Sequence, residues 1–265
     1  VKARMYVWLR GWWTPDMFTS YCRWMARRKL AGMLAVSHQT ATAVRSAGAP
    51  AEKIHVVHNP IDVEEIQKRS EQALLAPLPQ VDRPVRLLVP GKVIETKGLH
   101  TAVEAMRGIV DMGHDAVLWL AGNLETADRA YVDRVNRVAV EEGVEDRVEW
   151  LGLRRDLPQV MKAATAVVLP THSEGHPRVS LEAFALRRPF ISTPVGGVLD
   201  MVLPGVTGLL FDVHDATGLA RCVDRICRDE ALRDRVVDNA EAYVREEFTP
   251  SQQIDAVYRI VGERP

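Results

Sequence analysis

Glu174 and Glu182 stand eight positions apart in the run HSEGHPRVSLEAFA, one just before and one just inside an expected helix. Gly175 and Pro177 between them punctuate a loop that can present several backbone N–H groups at the helix start. Such a terminus attracts anions through those groups and the helix dipole, so carboxylates placed there need another purpose. Ionised carboxylates only accept hydrogen bonds, and sugar hydroxyls are fitting donors. Diphosphate on the amides with hydroxyls on the glutamates describes a nucleotide-sugar. The plain alternative is a helix-terminal charge at one position and a solvated face at the other.

A second loop, Pro90-Gly91-Lys92-Val93-Ile94-Glu95-Thr96-Lys97-Gly98, offers two lysines flanked by glycines. It lacks the Gly-Lys-Ser/Thr order of a P-loop. Two fixed positive charges suit a diphosphate leaving group without a metal; two solvated lysines are the equal alternative. Gly122 lets backbone approach a ligand or serves a turn, and the turn is favoured. Leu153 and Arg154 offer main-chain groups to a base edge, a weak signal alone. Paired carboxylates also serve glycoside hydrolysis, but that chemistry has no need of a lysine-glycine loop. His172 and His176 flank Glu174 and line the expected cleft. No histidine pair has metal-ligand spacing on a helix, so no zinc site is expected. His38, His55, His100, His114 and His214 read as surface or satisfied side chains.

These loops need strands to carry them. Apolar runs alternate with helical patterns along the chain, the signature of a parallel α/β architecture. The reading places strands at 5–9, 32–36 and 54–57 and helices at 17–28 and 39–47 in a first, small unit. Six strands follow at 86–89, 117–121, 148–151, 167–170, 190–192 and 209–211, with helices at 99–110, 127–142, 157–163, 179–186, 216–227, 232–246 and 251–261. The polar, proline-punctuated stretch 67–84 reads as a linker. Three strands are too few for a matching lobe and leave apolar surface uncovered.

Apolar content of 47% and charged content of 26% are those of an ordinary globular protein, and the net charge of −1 speaks against nucleic acid as a partner. Three cysteines make no paired framework, and Cys222 and Cys227 read as free thiols in a helix. No apolar run approaches the ~20 residues of a membrane span. Four of the six tryptophans lie with many arginines in the first 30 residues, which suits a membrane surface but better suits a helix packed beside a further lobe. The first residue is valine, and the opening resembles neither a signal peptide nor a tag; a piece of a longer polypeptide is expected.

From about residue 31 the ordered motifs resemble those of the retaining GT-B glycosyltransferases of family GT4. They include Ala35-Val36-Ser37, the run Lys53 to Asp62, Gly91-Lys92 with Lys97-Gly98, Leu120-Ala121-Gly122, Val148 to Gly152, Val168 to Ala185, Val195-Gly196-Gly197 and Thr207-Gly208. The resemblance implies an α/β fold of GT-B type. Residues 1–66 would be the end of an N-terminal acceptor lobe, 67–84 the linker, 85–248 a Rossmann-like donor domain, and 249–265 a helix crossing back. It implies no cofactor beyond a UDP- or GDP-type sugar donor, and an acceptor that is a glycan, lipid or small molecule. The glutamates match an E-x7-E motif, with Glu174 on the donor sugar and Glu182 on the ribose. Lys92 (where arginine is usual) and Lys97 would neutralise the diphosphate. Gly91, Gly122, Leu153, Arg154, Gly175, His176, Pro177, Arg178 and Val179 would complete the donor site. Departures include Asn123-Leu124 after Gly122, His176-Pro177-Arg178 for a commoner Phe-Gly sequence, Asp200 where Glu is frequent, and Arg10-Gly11 where His-Gly is common. A cytoplasmic enzyme is expected, peripheral at the inner membrane face or with a partner over the small unit.

Overall fold

Two parallel sheets organise the chain in a computed structural model that describes residues 5–10 and 19–262. The smaller has the order β1 (Met5–Leu9), β2 (Leu30–Ala35), β3 (Ile54–Val56). Helices α1 (Ser20–Arg28) and α2 (His38–Ser46) connect these strands. Thr19 caps α1 through its hydroxyl and Ser37 caps α2. Lys53 Nζ donates to the carbonyls of Ala26, Arg27 and Leu30 at 3.0, 3.0 and 2.9 Å, placing a cation at the negative end of α1. Met17 and Phe18, expected to open that helix, and Gly11, Trp12 and Trp13 lie outside the described residues.

Helix α3 (Val63–Ser70) links the sheets, with the Asp62 carboxylate accepting from the Glu65 N–H at 2.9 Å. This corrects the start of the expected linker. Ile66 and Ser70 are buried, and such spacing continues an amphipathic helix through residue 70. The rest of 71–84 packs on the larger unit rather than swinging free: Leu78 is buried, Trp119 Nε1 donates to the Pro79 carbonyl at 3.1 Å, and the Leu75 N–H donates to Asp156 at 2.7 Å.

The larger sheet is built from β4 (Val85–Pro90), β5 (Ala116–Ala121), β6 (Val148–Trp150), β7 (Ala166–Leu169), β8 (Phe190–Ser192) and β9 (Leu209–Leu210), in the order β6-β5-β4-β7-β8-β9. Its connecting helices are α4 (Leu99–Asp111), α5 (Arg129–Glu141), α6 (Leu157–Ala163), α7 (Arg178–Ala185), α8 (Ala216–Arg228) and α9 (Glu230–Glu247). Both faces are covered. Leu87, Val89, Leu118 and Leu120 enter one core with α4 and α8, while Leu88, Val117, Trp119 and Leu169 enter the other with α3, α6 and α7. That is why the strands read as unbroken apolar runs. Cys222 is a buried free thiol whose pKa burial raises. The strand order reverses between β4 and β7, so the loops following them border a crevice at the carboxyl edge, the usual ligand position in such sheets.

Helix α10 (Pro250–Val261), with a capping box at Thr249 and Gln252, lies back against the first sheet. Gln253 Nε2 donates to the His58 carbonyl at 2.9 Å and the Tyr6 hydroxyl to the Ile260 carbonyl at 3.3 Å. Among the described residues no helix is long and apolar enough to cross a membrane.

Candidate active site

Two loops bring part of the expected site to the crevice, and a third backs them. The loop after β4 carries Gly91, Lys92 and Lys97, that after β7 carries Thr171 to Pro177, and that after β8 holds the second from behind. Thr171 Oγ1 donates to the Thr96 carbonyl at 2.9 Å, and the His172 N–H donates to the same oxygen at 2.8 Å. The first two loops are therefore tied together through one carbonyl. Behind them, a Cβ on Gly196 would stand 1.7 Å from the Glu174 carbonyl oxygen, and one on Gly197 2.0 Å from that of Gly175. Only glycine lets this third backbone approach so closely. Across the crevice, Asn59 Nδ2 donates to the His176 carbonyl at 2.9 Å.

The resulting cleft has a volume of about 500 Å³ and is lined by Gly91, Lys92, Lys97, Glu174, Gly175, His176, Pro177, Arg178 and Val179. Lys97 Nζ donates to Glu174 Oε1, and both side chains are largely covered. Lys92 and Arg178 are exposed and make no ion pair among the described residues. The start of α7 has no side-chain cap, because its N-cap is Pro177, so no side chain engages its first-turn N–H groups beside the cleft that Arg178 and Val179 line. His176 is buried, stacks on His58 at 5.0 Å between centroids, and has no hydrogen-bond partner for either ring nitrogen. Burial, with His58 beside it, drives its pKa down to about 3, so the ring is neutral at ordinary pH.

Glu182 sits one turn into α7 and lines neither this cleft nor the smaller one beside it. It is half-buried, and its side chain makes no hydrogen bond among the described residues. Burial raises its pKa against the opposing pull of Arg178 and Arg69.

The smaller cleft, of about 280 Å³, shares Gly91 and Lys92 with the first and adds Gly122, Asn123, Leu153 and Arg154. Gly122 has a packing reason to be glycine, since a Cβ there would fall 2.3 Å from the Gly91 carbonyl oxygen. Leu153 is 62% exposed. Arg154 turns its guanidinium into the fold, meeting Asp156 at 2.8 and 2.6 Å and the Ala76 carbonyl at 2.8 Å. Burial would raise the Asp156 pKa, but Arg154 and the Leu75 N–H outweigh it and hold the carboxyl below its usual range. Leu153 and Arg154 both line this cleft, and the Arg154 guanidinium is taken up by Asp156 and Ala76.

Two residues named in the sequence were given no place in the site. Arg10, at the end of β1, lines the larger cleft from the opposite unit and adds a cation. Asp200 Oδ2 accepts from the His38 N–H at 2.8 Å and meets the rings of His38 and His58 at 3.1 and 3.0 Å, fastening the two units beside His176. His38, read from the sequence as a surface or satisfied side chain, is both exposed and bonded to Asp200. The sequence marked Arg10 and Asp200 only as departures from the family pattern, and His58, 142 positions from Asp200, only as part of a matching run.

The sequence pattern described as "Glycosyl transferases group 1" matches residues 70–243, taking in the whole crevice of the larger sheet. The chain belongs to that family. A second pattern, "Glycosyltransferase Family 4", matches residues 4–65. The capsular polysaccharide biosynthesis glycosyltransferase CapM of Staphylococcus aureus is 27% identical over 177 residues, 63% of this chain and 44% of that protein. The alpha-D-kanosaminyltransferase of Streptomyces kanamyceticus is 26% identical over 257 residues, 93% of this chain and 65% of that protein. The structure of Anabaena HepE in complex with UDP and glucose superposes with a TM-score of 0.86 at 22% identity, over 98% of this chain and 72% of that one. These likenesses give the fold as GT-B, with a six-stranded C-terminal lobe and a three-stranded N-terminal one. The chain spans 44% and 51% of two of the curated relatives it matches.

Proposed function

We propose that this chain carries the donor site of a retaining glycosyltransferase, which moves a sugar from a nucleotide-diphosphate sugar to an acceptor hydroxyl. The observation that supports this most is the convergence of Lys92, the Lys97–Glu174 pair and the uncapped start of α7 on one 500 Å³ cleft at the strand-order reversal. Catalysis falls to Glu174, Lys92 and Lys97. The two lysines stabilise charge as it develops on the departing diphosphate, and Glu174 accepts hydroxyls of the transferring sugar. Gly175, His176, Pro177, Arg178 and Val179 bind sugar and phosphate, and Gly91 and Gly122 let backbone approach the nucleotide. Leu153 and the main chain of Arg154 flank the base. Glu182, with no hydrogen bond to another side chain, is assigned to the ribose diol. In the reaction the bond from the anomeric carbon to the phosphate oxygen breaks, and one to the acceptor oxygen forms on the same face. The departing phosphate oxygen takes the acceptor proton, so no metal is required for this step.

The donor is of UDP or GDP type, and the HepE complex with UDP and glucose supports the former. The acceptor is a glycan, lipid or small molecule. Residues 1–66 form the acceptor-side lobe, 85–248 the donor lobe, and 249–265 the return helix. Met5, Val7, Trp8 and Trp24 are exposed on the small lobe and suit a membrane surface or a partner, in keeping with action at a cytoplasmic membrane face. Co-sedimentation with anionic vesicles tests that last point, and an unbound chain would remove it.

A second reading, a donor-binding module that turns over only with further chain segments, is favoured by the 44–65% of relatives' length that the chain spans. A thermal-shift panel of UDP, GDP and ADP sugars, followed by an assay of sugar transfer, separates the two. Transfer by the chain alone, lost in Glu174→Gln, establishes the enzyme; a shift without transfer establishes the module; no shift with any nucleotide ends both. Glu182→Ala with an undiminished shift would remove the ribose assignment.

A further inference from the structure

We propose that His100, His172 and His214 form a binding site for one Zn²⁺ ion, directly behind the loop that carries Glu174. The three imidazoles come from separate elements: the second residue of α4, the loop after β7 and the loop after β9. Their ligating nitrogens all lie within 4.8 Å of one another. The rings of His172 and His214 are 4.2 Å apart between centroids, and that of His100 stands 5.8 and 6.2 Å from them. Zinc–nitrogen bonds of about 2.0–2.1 Å in tetrahedral geometry draw such nitrogens to roughly 3.3 Å of one another. His214 is exposed, so small side-chain rotations close the set without disturbing the core.

The chemistry of the donors fits. Imidazole binds zinc as the neutral ring, and His100 is buried and His172 half-buried. His172 Nε2 is buried with no hydrogen-bond partner, an orphan that a metal bond would satisfy. His100 Nδ1 meets the Tyr131 hydroxyl at 3.0 Å, which fixes the ring in the way outer-shell partners fix metal-binding histidines. The exposed side at His214 gives the ion a path in and leaves a fourth position for water. Nearby, Arg134 pairs with Glu95, which offsets its repulsion of a cation. The other cluster of this kind, His38, His58 and Asp200, differs because its carboxylate oxygen already accepts all its hydrogen bonds from the two histidines.

An ion there acts on the donor cleft through the backbone. His172 lies two residues before Glu174, and its N–H is held by the carbonyl next to Lys97. Zinc would tie the positions of both members of the Lys97–Glu174 pair to β9.

The test is isothermal titration of the chelator-treated full chain with Zn²⁺, alongside thermal melts and the visible spectrum with Co²⁺. One equivalent binds with micromolar or tighter affinity, raises Tm and gives the intense absorption of tetrahedral Co²⁺. His214→Ala, at an exposed position, weakens binding by at least about tenfold, as does Tyr131→Phe through the lost outer-shell bond. Asp200→Asn leaves binding unchanged. Absence of binding, octahedral Co²⁺, unaltered affinity in His214→Ala, or loss of binding in Asp200→Asn each overturns the proposal.

Discussion

The two lobes share one architecture and differ in how much of it is covered. In the six-stranded lobe apolar side chains from both sheet faces are buried, and Trp119, Phe184 and Phe190 are almost wholly enclosed. In the three-stranded lobe one modest core gathers around Met33 and Val44, while Met5, Val7 and Trp8 of its edge strand remain exposed. The contrast teaches where rigidity is invested. Lys92, Lys97 and Glu174 stand on the enclosed lobe, whereas the other lobe contributes Arg10 and touches the site through His58 and Asn59.

If that contrast is real, Phe184→Ala lowers unfolding free energy by about 3–5 kcal/mol, while Met5→Ser, on the exposed strand, stays within about 0.5 kcal/mol; comparable losses in urea melts would erase it. Next in size, Lys92→Ala removes charge-assisted contacts of about 1.5–3 kcal/mol. Nucleotide-diphosphate Kd then rises roughly 10–100-fold with Tm unmoved, and a Tm loss instead would make Lys92 structural. Gly197→Ala forces a Cβ against the Gly175 carbonyl and costs about 1–3 kcal/mol of overpacking. Donor affinity falls with stability there, and unchanged affinity would uncouple the backing loop from the cleft.

A separate effect, on pH dependence, comes from the same burial. His100 and His176 have pKa values of about 4 and 3 against an ordinary 6.5, chiefly through burial. Below pH 6.5 the unfolded chain therefore binds protons that the native state refuses. Their stabilisation is complete above pH 6.5 and declines as pH falls towards 4. Denaturant midpoints at pH 7 and 4.5 should show the decline, and His100→Asn should flatten it; an unchanged slope would place the His100 ring in water.

Much of this was legible in the sequence because it is local. The alternation of Leu87, Leu88 and Val89 between two cores dictates an unbroken apolar strand, and Gly175 and Pro177 mark the loop before α7. What escaped was assembled across the chain. Arg10 enters the cleft from the far lobe, and His38, His58 and Asp200 meet only after both sheets have formed. His100, His172 and His214 share no spacing that a helix or strand could betray. The linker failed at its start because Ile66 and Ser70 continue a helical period through polar neighbours. Arg154 was read only for its main chain, and its bidentate bond to Asp156 needs the fold.

The Lys97–Glu174 pair has a consequence for encounter as well as for chemistry. Opposite charges in contact form a short dipole whose field fades quickly with distance, so an approaching diphosphate barely senses Lys97. Long-range attraction then rests on the exposed Lys92, Arg178 and Arg10, whose influence is confined to about 8 Å at physiological salt. Added salt should slow capture of the nucleotide while leaving the final grip of Lys97 largely intact, dividing recruitment from commitment between two lysines of one loop.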